Sequence, residues 1–291
     1  MRQKYLSFFL IFSLISLSLP VFALEEDPIK CEVSSVDELP DLTFEEVSQL
    51  SGATITSEYD IITSLHDSSA NELKNLGFST DEIDILKNSH PAQMILKDLP
   101  LNQTRLKLTS KEIEAVKNHQ FDLVSPETLR RASAKVALGF GNISKRKNVS
   151  SYAIYWHWDR DPIWDFTDKV VSAFSDNYYA TGSCTALVNY RSYNTDNTTF
   201  RTERYTPSDL PNNGVVFSIP MKIATYVGPV FALSGKAYVQ IKGNTTPPKL
   251  LILAKYAHSY SPELVSVSIG AGPLSIQVPK SIDAANISRT I

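Results

Sequence analysis

The hydrophobic pattern of this chain changes period near residue 150, and that change limits the folds open to it. Beyond the change, Tyr152, Ile154, Trp156 and Trp158 alternate with Ala153, Tyr155 and His157, a period of two that sends the two sets to opposite faces of a β-strand. Comparable runs follow at 169–174, 184–193, 199–205, 215–219, 230–241, 250–258, 264–269 and 274–278, separated by turn-forming stretches such as 209–214, 243–248 and 270–273. Eight or nine short strands without intervening helices predict an antiparallel sandwich or barrel, because a parallel sheet needs a crossover helix between its strands.

Before the change the code is helical. Thr43 with Glu46, Ser69 with Glu72, Ser79 with Glu82 and Thr109 with Glu112 each place glutamate three residues after a hydroxyl, the spacing at which both side chains cap a helix start. Residues 79–88 (STDEIDILKN) and 109–118 (TSKEIEAVKN) align without a gap as a degenerate helical repeat, and Gly77 precedes the first copy as a helix stop. The fold class expected is therefore α+β: a small helical N-terminal region followed by an antiparallel β-sandwich or barrel.

Charge divides the chain in the same way. Residues 24–124 carry 20 acidic and 8 basic side chains, whereas 125–291 carry 11 acidic and 18 basic ones, so the overall charge of −3 conceals two opposed halves. All three tryptophans and eleven of the thirteen tyrosines lie beyond residue 150. The expected layout is a signal peptide at 1–23, an acidic helical region at 24–124, a connector at 125–149 containing Arg130-Arg131 and Lys145-Arg146-Lys147, and a β domain at 150–291. The basic clusters mark that connector as an exposed stretch open to proteases.

Export is read from Arg2 and Lys4, the apolar run that follows them, and the Val21-Phe22-Ala23 end. The protein is expected to be secreted, extracellular or associated with the cell wall. In an oxidising compartment the two cysteines, Cys31 and Cys184, predict one disulfide. A nucleophilic Cys184 using His157 or His258 as base is the lesser reading, since its neighbours form a strand interior. An exported chain with an acidic helical half is not expected to meet nucleic acid.

The exported N-terminus, the helical unit Leu76 to Lys87, and the Trp156-x-Trp158 strand leading to Asp161-Pro162 and Phe166-Thr167-Asp168 resemble exported proteins of Gram-positive bacteria with a helical leader and a Trp-x-Trp β domain. The resemblance implies an extracellular β domain and supplies no activity and no catalytic residues.

Three constellations carry chemistry. Asp159, Asp161, Asp165 and Asp168 fall within ten residues; Asp159, Asp161 and Asp165 offer hard oxygens to calcium, and a pair from the cluster could serve a hydrolase as acid and base. The turn as a solvated element, with Asp159 or Asp161 paired to Arg160, is the competing reading. Tyr190, Tyr193, Arg201 and Arg204 form the candidate ligand-binding set, because rings stack on sugars and guanidinium groups grip anions. The expected function is a secreted, non-catalytic protein that binds a wall polymer, glycan or surface protein through its basic, aromatic-rich β domain, without a cofactor. The alternatives are a toxin-like or pore-forming protein masked by its acidic segment, the one reading that brings membrane contact, and a hydrolase using the Asp159 to Asp168 cluster.

Overall fold

The computed structural model describes residues 33–96, 108–146, 148–175, 178–192, 199–226, 228–243, 250–260, 267–270, 275–278 and 281–290. The signal peptide, Cys31 and Tyr193 lie outside these residues. The chain runs through α1 (Phe44–Gln49), β1 (Thr54–Ser57), α2 (Glu58–Asp67), α3 (Ala70–Asn75), α4 (Thr80–Asn88), α5 (Pro91–Leu96), α6 (Ser110–Lys117) and α7 (Pro126–Ala132). Strands follow: β2 (Lys135–Arg146), β3 (Val149–Trp158), β4 (Thr167–Phe174), β5 (Tyr178–Ala180), β6 (Thr185–Ser192), β7 (Arg201–Tyr205) and β8 (Gly214–Pro220). The last are β9 (Lys222–Thr225), β10 (Gly228–Gly243), β11 (Leu251–Ser259), β12 (Ser268–Gly270), β13 (Ser275–Gln277) and β14 (Ser281–Thr290).

All four expected capping boxes form, at the starts of α1, α3, α4 and α6. Each satisfies two amides that would otherwise lack partners, which lets helices of six to nine residues begin sharply. Gly77, at φ 96°, takes the left-handed conformation that ends α3.

The strands build an antiparallel β-sandwich. The larger sheet has the order β1-β2-β3-β10-β6-β7, with β5 and β9 also on β10, and the smaller has the order β14-β11-β4-β8. Tyr152, Ile154, Trp156 and Trp158 all enter the core between the sheets, as their alternation requires, and meet Val170, Phe174, Phe217 and Tyr256 from the opposite side. Two buried hydrogen bonds cross the core: Tyr152 Oη lies 2.7 Å from Ser172 Oγ, and Trp158 Nε1 donates to Tyr256 Oη at 3.0 Å. Gly235 leaves room for the indole of Trp156, since a Cβ there would sit 2.1 Å from a ring carbon.

Both outer faces are covered. The hairpin β12–β13 places Ile269 and Ile276 over Val171, Ala173 and Val216 of the smaller sheet. On the larger sheet, a strap formed by residues 33–50 packs Val33, Val36, Leu39 and Val47 onto Ala137, Ala153, Tyr155 and Tyr238. The remaining helices pack around Ile62, Leu96, Leu129, Leu73 and Leu86, with Trp164 touching both their clusters and the sandwich core.

The connector expected at 125–149 is a correction. Its first part is α7, capped by Ser125 with Pro126 in the first turn, and its second is β2, which pairs with β1 on one side and β3 on the other. Val136, Leu138 and Phe140 belong to the core, so the helical region and the sandwich share a sheet across the expected border. Arg130 is held by Asp60 at 2.8 Å.

Candidate functional site

The aspartate-rich turn joins β3 to β4 and does not converge on one centre. Asp159 accepts from the Lys135 amide at 2.8 Å and lies 3.4 Å from Arg160. Asp161 pairs with Arg191 at 2.8 Å, and Asp165 with Lys222 at 2.7 Å. The three carboxylates expected to share calcium thus face three different cations, and among the described residues no group of three metal-ligating side chains surrounds an ion. What forms is an ion-paired turn in which the Asp159 and Asp161 side chains are only about a fifth exposed.

Asp168, three residues further on, has another fate. It is fully buried, with Oδ2 2.9 Å from His258 Nδ1, Oδ1 accepting from the Ser259 amide at 2.9 Å, and Tyr256 Oη donating to Oδ2 at 2.7 Å. His258 Nε2 faces Glu58 Oε1 at 3.5 Å, and that oxygen accepts from the Ile163 amide at 2.7 Å. Burial alone would lower the His258 pKa, but the Asp168 and Glu58 carboxylates outweigh it and raise it to about 10. This carboxylate–imidazolium–carboxylate chain resembles a catalytic relay in composition. It nevertheless lies at zero exposure, so it is a tie between α2 and the smaller sheet. Sequence reading had no means of joining Glu58, Asp168 and His258, which are far apart along the chain.

The expected ligand-binding set also redistributes. Tyr190 is a core residue with no exposed surface, its hydroxyl 2.7 Å from both Tyr205 Oη and the Pro220 carbonyl oxygen. It points inward because Val188 and Tyr190 share a strand face. Arg201 pairs with Glu203, and Arg204 pairs with Asp37 of the strap; both arginines stay half-exposed on the edge strand β7. Cys184 is buried with its Sγ 3.4 Å from the Gln240 carbonyl oxygen, and burial raises its pKa, the reverse of what a nucleophile needs. Its pairing with Cys31 involves a residue outside the described ones.

Strand register shows where an open polar surface does exist. Across the outer face of the larger sheet, one row runs Gly139, Tyr155, Lys236, Leu187, Arg204 and the next runs Ala137, His157, Ser234, Asn189, Thr202. The strap crosses the first row. Over the second lies a cleft of about 280 Å³ whose lining includes Asp41, Phe44, Glu45, His157, Asp159 and Asn189. Its polar groups are pre-set: Asn189 Oδ1 accepts from Thr202 Oγ1 at 2.7 Å, and its Nδ2 lies 3.4 Å from both Asp41 and Ser234. His157 Nδ1 is 2.8 Å from the Trp158 carbonyl oxygen, so the Nδ1–H donates and leaves Nε2 as an acceptor; burial lowers its pKa and favours that neutral form. Phe44 stands edge-on to the imidazole, with centroids 6.2 Å apart. A second cleft, of about 180 Å³, lies between the helices and the sandwich and is mostly apolar, lined by Phe78, Ile85, Leu86, Met94, Trp164 and Tyr260 with Glu82. The alternation of β3 put His157 outside, but the strands that complete the cleft are neighbours only after folding.

No protein-family model matches the sequence, and no curated protein is similar to it. Among solved structures, the collagen-binding domain from a Staphylococcus aureus adhesin overlaps 51% of this chain and 95% of its own, at 8% identity and a TM-score of 0.28. Clostridium perfringens delta-toxin overlaps 54% of this chain and 82% of its own, at 8% identity and a TM-score of 0.17. The NetB toxin of the same organism, in its membrane-inserted form, gives 54%, 82%, 7% and 0.17 for the same measures. At these scores none amounts to a shared fold; the sandwich is defined by its own sheet order and register.

Proposed function

We propose that this is an exported, non-catalytic binding protein that takes a glycan of a cell surface or wall in the cleft between the strap and the larger sheet. The cleft itself carries the reading. It combines hydroxyl, amide and carboxylate groups held in place by their own neighbours with one aromatic ring, and contains no lysine or arginine among its lining residues. Such a lining suits a polyhydroxylated ligand, whose hydroxyls both donate and accept while its C–H faces lie against a ring. The absence of a lining lysine or arginine favours a neutral or amine-bearing sugar over an anionic polymer. A volume of about 280 Å³ fits one or two sugar units.

The test is retention of the mature protein on purified wall polysaccharide. Asn189→Ala and Phe44→Ala should each weaken retention about tenfold while the melting transition stays cooperative; retention equal to that of the unaltered protein would overturn the site. Breakdown of the bound polymer would replace the non-catalytic reading with a hydrolase. Export also carries the Cys31–Cys184 disulfide with it, and labelling of two free thiols in the unreduced, denatured protein would remove that pairing.

A further inference from the structure

We infer that the second cleft, between α4 and the end of β11, binds a small organic cation of the quaternary ammonium class. This site is separate from the glycan cleft, which lies on the outer face of the larger sheet, and neither reading depends on the other.

The cleft is assembled from segments that meet only in the fold. α4 turns Glu82 and Ile85 onto one face, since positions three apart lie together on a helix. Phe78 comes from the turn before α4, Trp164 from the turn between β3 and β4, and Tyr260 directly follows β11. Phe78 and Tyr260 stack with ring centroids 4.0 Å apart and planes within 5° of parallel, and Trp164 meets Tyr260 in a T-shaped contact at 6.0 Å. The rings therefore hold one another in place. Glu82 is held as well, because its Oε2 accepts from the Ser79 amide at 2.7 Å in the cap of α4. The result is a preformed aromatic wall beside one carboxylate, around a space of about 180 Å³.

Three features select a cation over a neutral apolar ligand. Aromatic faces carry the negative part of the ring quadrupole, and tryptophan, the strongest partner of this kind, is among them. The charged lining residue, Glu82, is negative, and the helices that carry it, residues 58–96, bear seven carboxylates against Lys74 and Lys87, so the field at the cleft draws positive charge. Behind Trp164 stands His258, with centroids 5.8 Å apart, and its two carboxylate neighbours, Asp168 and Glu58, leave one negative charge in excess where water does not screen it. The apolar remainder of the lining decides the class of cation. It offers nothing to replace the hydration of a primary ammonium, whereas a quaternary one has no N–H to satisfy and presents methyl groups to the rings. The Tyr260 hydroxyl adds one polar requirement: it is buried without a hydrogen-bond partner among the described residues. Burial, with the Glu82 charge, raises its pKa and keeps it a donor, so a ligand oxygen two carbons from the nitrogen, as in choline, supplies the acceptor.

The experiment titrates the full mature chain with choline chloride at constant ionic strength, followed by calorimetry and by tryptophan fluorescence. Trp156 and Trp158 are buried in the sandwich core, so Trp164 is the indole that a ligand in this cleft touches. Saturable binding with a change in emission is expected, and dimethylbutanol, in which carbon replaces the charged nitrogen, should bind at least about tenfold more weakly. Glu82→Gln should weaken choline binding about tenfold. Its melting transition should remain, because glutamine at that position also completes a capping box. Ile85→Lys, at a side chain 62% exposed, should abolish binding by fixing a cation at the mouth without disturbing the core. Phosphatidylcholine vesicles form the second arm: cosedimentation that Glu82→Gln removes identifies the cation as a lipid headgroup, and choline binding without cosedimentation identifies it as a free solute. Absence of binding to both choline and vesicles would overturn the inference, as would equal binding of dimethylbutanol or binding that either variant leaves unchanged.

Discussion

Asp165 and Asp168 stand three residues apart in one acidic run, and the protein treats them in opposite ways. Asp165 sits half in solvent against Lys222, while Asp168 is sealed in the interior with His258, Tyr256 and the Ser259 amide around it. The difference lies in what surrounds each side chain, not in its chemistry. Asp165 belongs to the turn, where water screens the charge and the ion pair adds little. Asp168 belongs to β4, whose neighbour β11 presents His258 to it; there an unpaired carboxylate would cost several kcal/mol, so every oxygen needs a partner.

The comparison is broken most forcefully at the histidine. His258→Ala removes the cation between Asp168 and Glu58 and leaves two buried carboxylates facing each other, so chemical denaturation should show a loss of about 3 to 5 kcal/mol. A loss below about 1 kcal/mol would mean the chain of charges is not what joins α2 to the sandwich. The same residue sets an alkaline limit. Its folded pKa, about 10, lies above the ordinary value of 6.5, so its contribution is fully present below pH 6.5 and is lost as pH rises toward 10. Stability followed from pH 6.5 to 10 should fall in the unaltered protein and change less in His258→Ala. Glu112 sets the acid limit with the opposite sign. Burial would raise its pKa, but the Thr109 amide, the Thr128 and Thr109 hydroxyls and the Ser125 amide outweigh that and bring it to about 2, so its contribution is lost as pH falls from the usual carboxylate range toward 2.

The turn provides an intermediate case. Arg191 is buried at 7% exposure and Asp161 holds it at 2.8 Å, so Asp161→Asn should cost about 1 to 2 kcal/mol by weakening the partnering of a mostly dehydrated guanidinium. A cost equal to that of a surface pair would place Arg191 with its other neighbours instead.

How far this was legible beforehand differs by the range of the signal. Caps act over three residues, and all four expected boxes formed where Thr or Ser stands before Glu. Alternation acts over one strand, and it placed Tyr152, Ile154, Trp156 and Trp158 inside and His157 outside. It failed at β2, where Gly139, Gly141, a bulge before Ser144 and the left-handed Asn142 obscure the period, and at β14, whose sequence SIDAANISRT mixes small, polar and apolar residues without a clean alternation. Tyr190 was misread as a surface ring because tyrosine beside arginine in sequence is ambiguous until the strand's facing is fixed. The candidate cleft and the Glu58–His258–Asp168 chain depend on strand order, which joins β3 to β10 and β4 to β11 across long stretches of sequence. No local pattern contains that order.

The smallest effect is expected at Asp165, and it tests the comparison from its weak side. The Asp165–Lys222 pair spans 2.7 Å, but its side chains retain 34% and 46% of their exposure, and Lys222 also stands 5.4 Å from the Phe231 ring centroid. Water can replace the carboxylate, and the aromatic face continues to hold the ammonium group. Asp165→Asn should therefore change stability by no more than about 0.5 kcal/mol, with the difference shrinking as salt is added. A loss of 2 kcal/mol or more, insensitive to salt, would show that this pair behaves as a buried one. The contrast between a solvated turn and a sealed strand would then have to be redrawn inside the turn itself, between Asp165 and its neighbour Asp161.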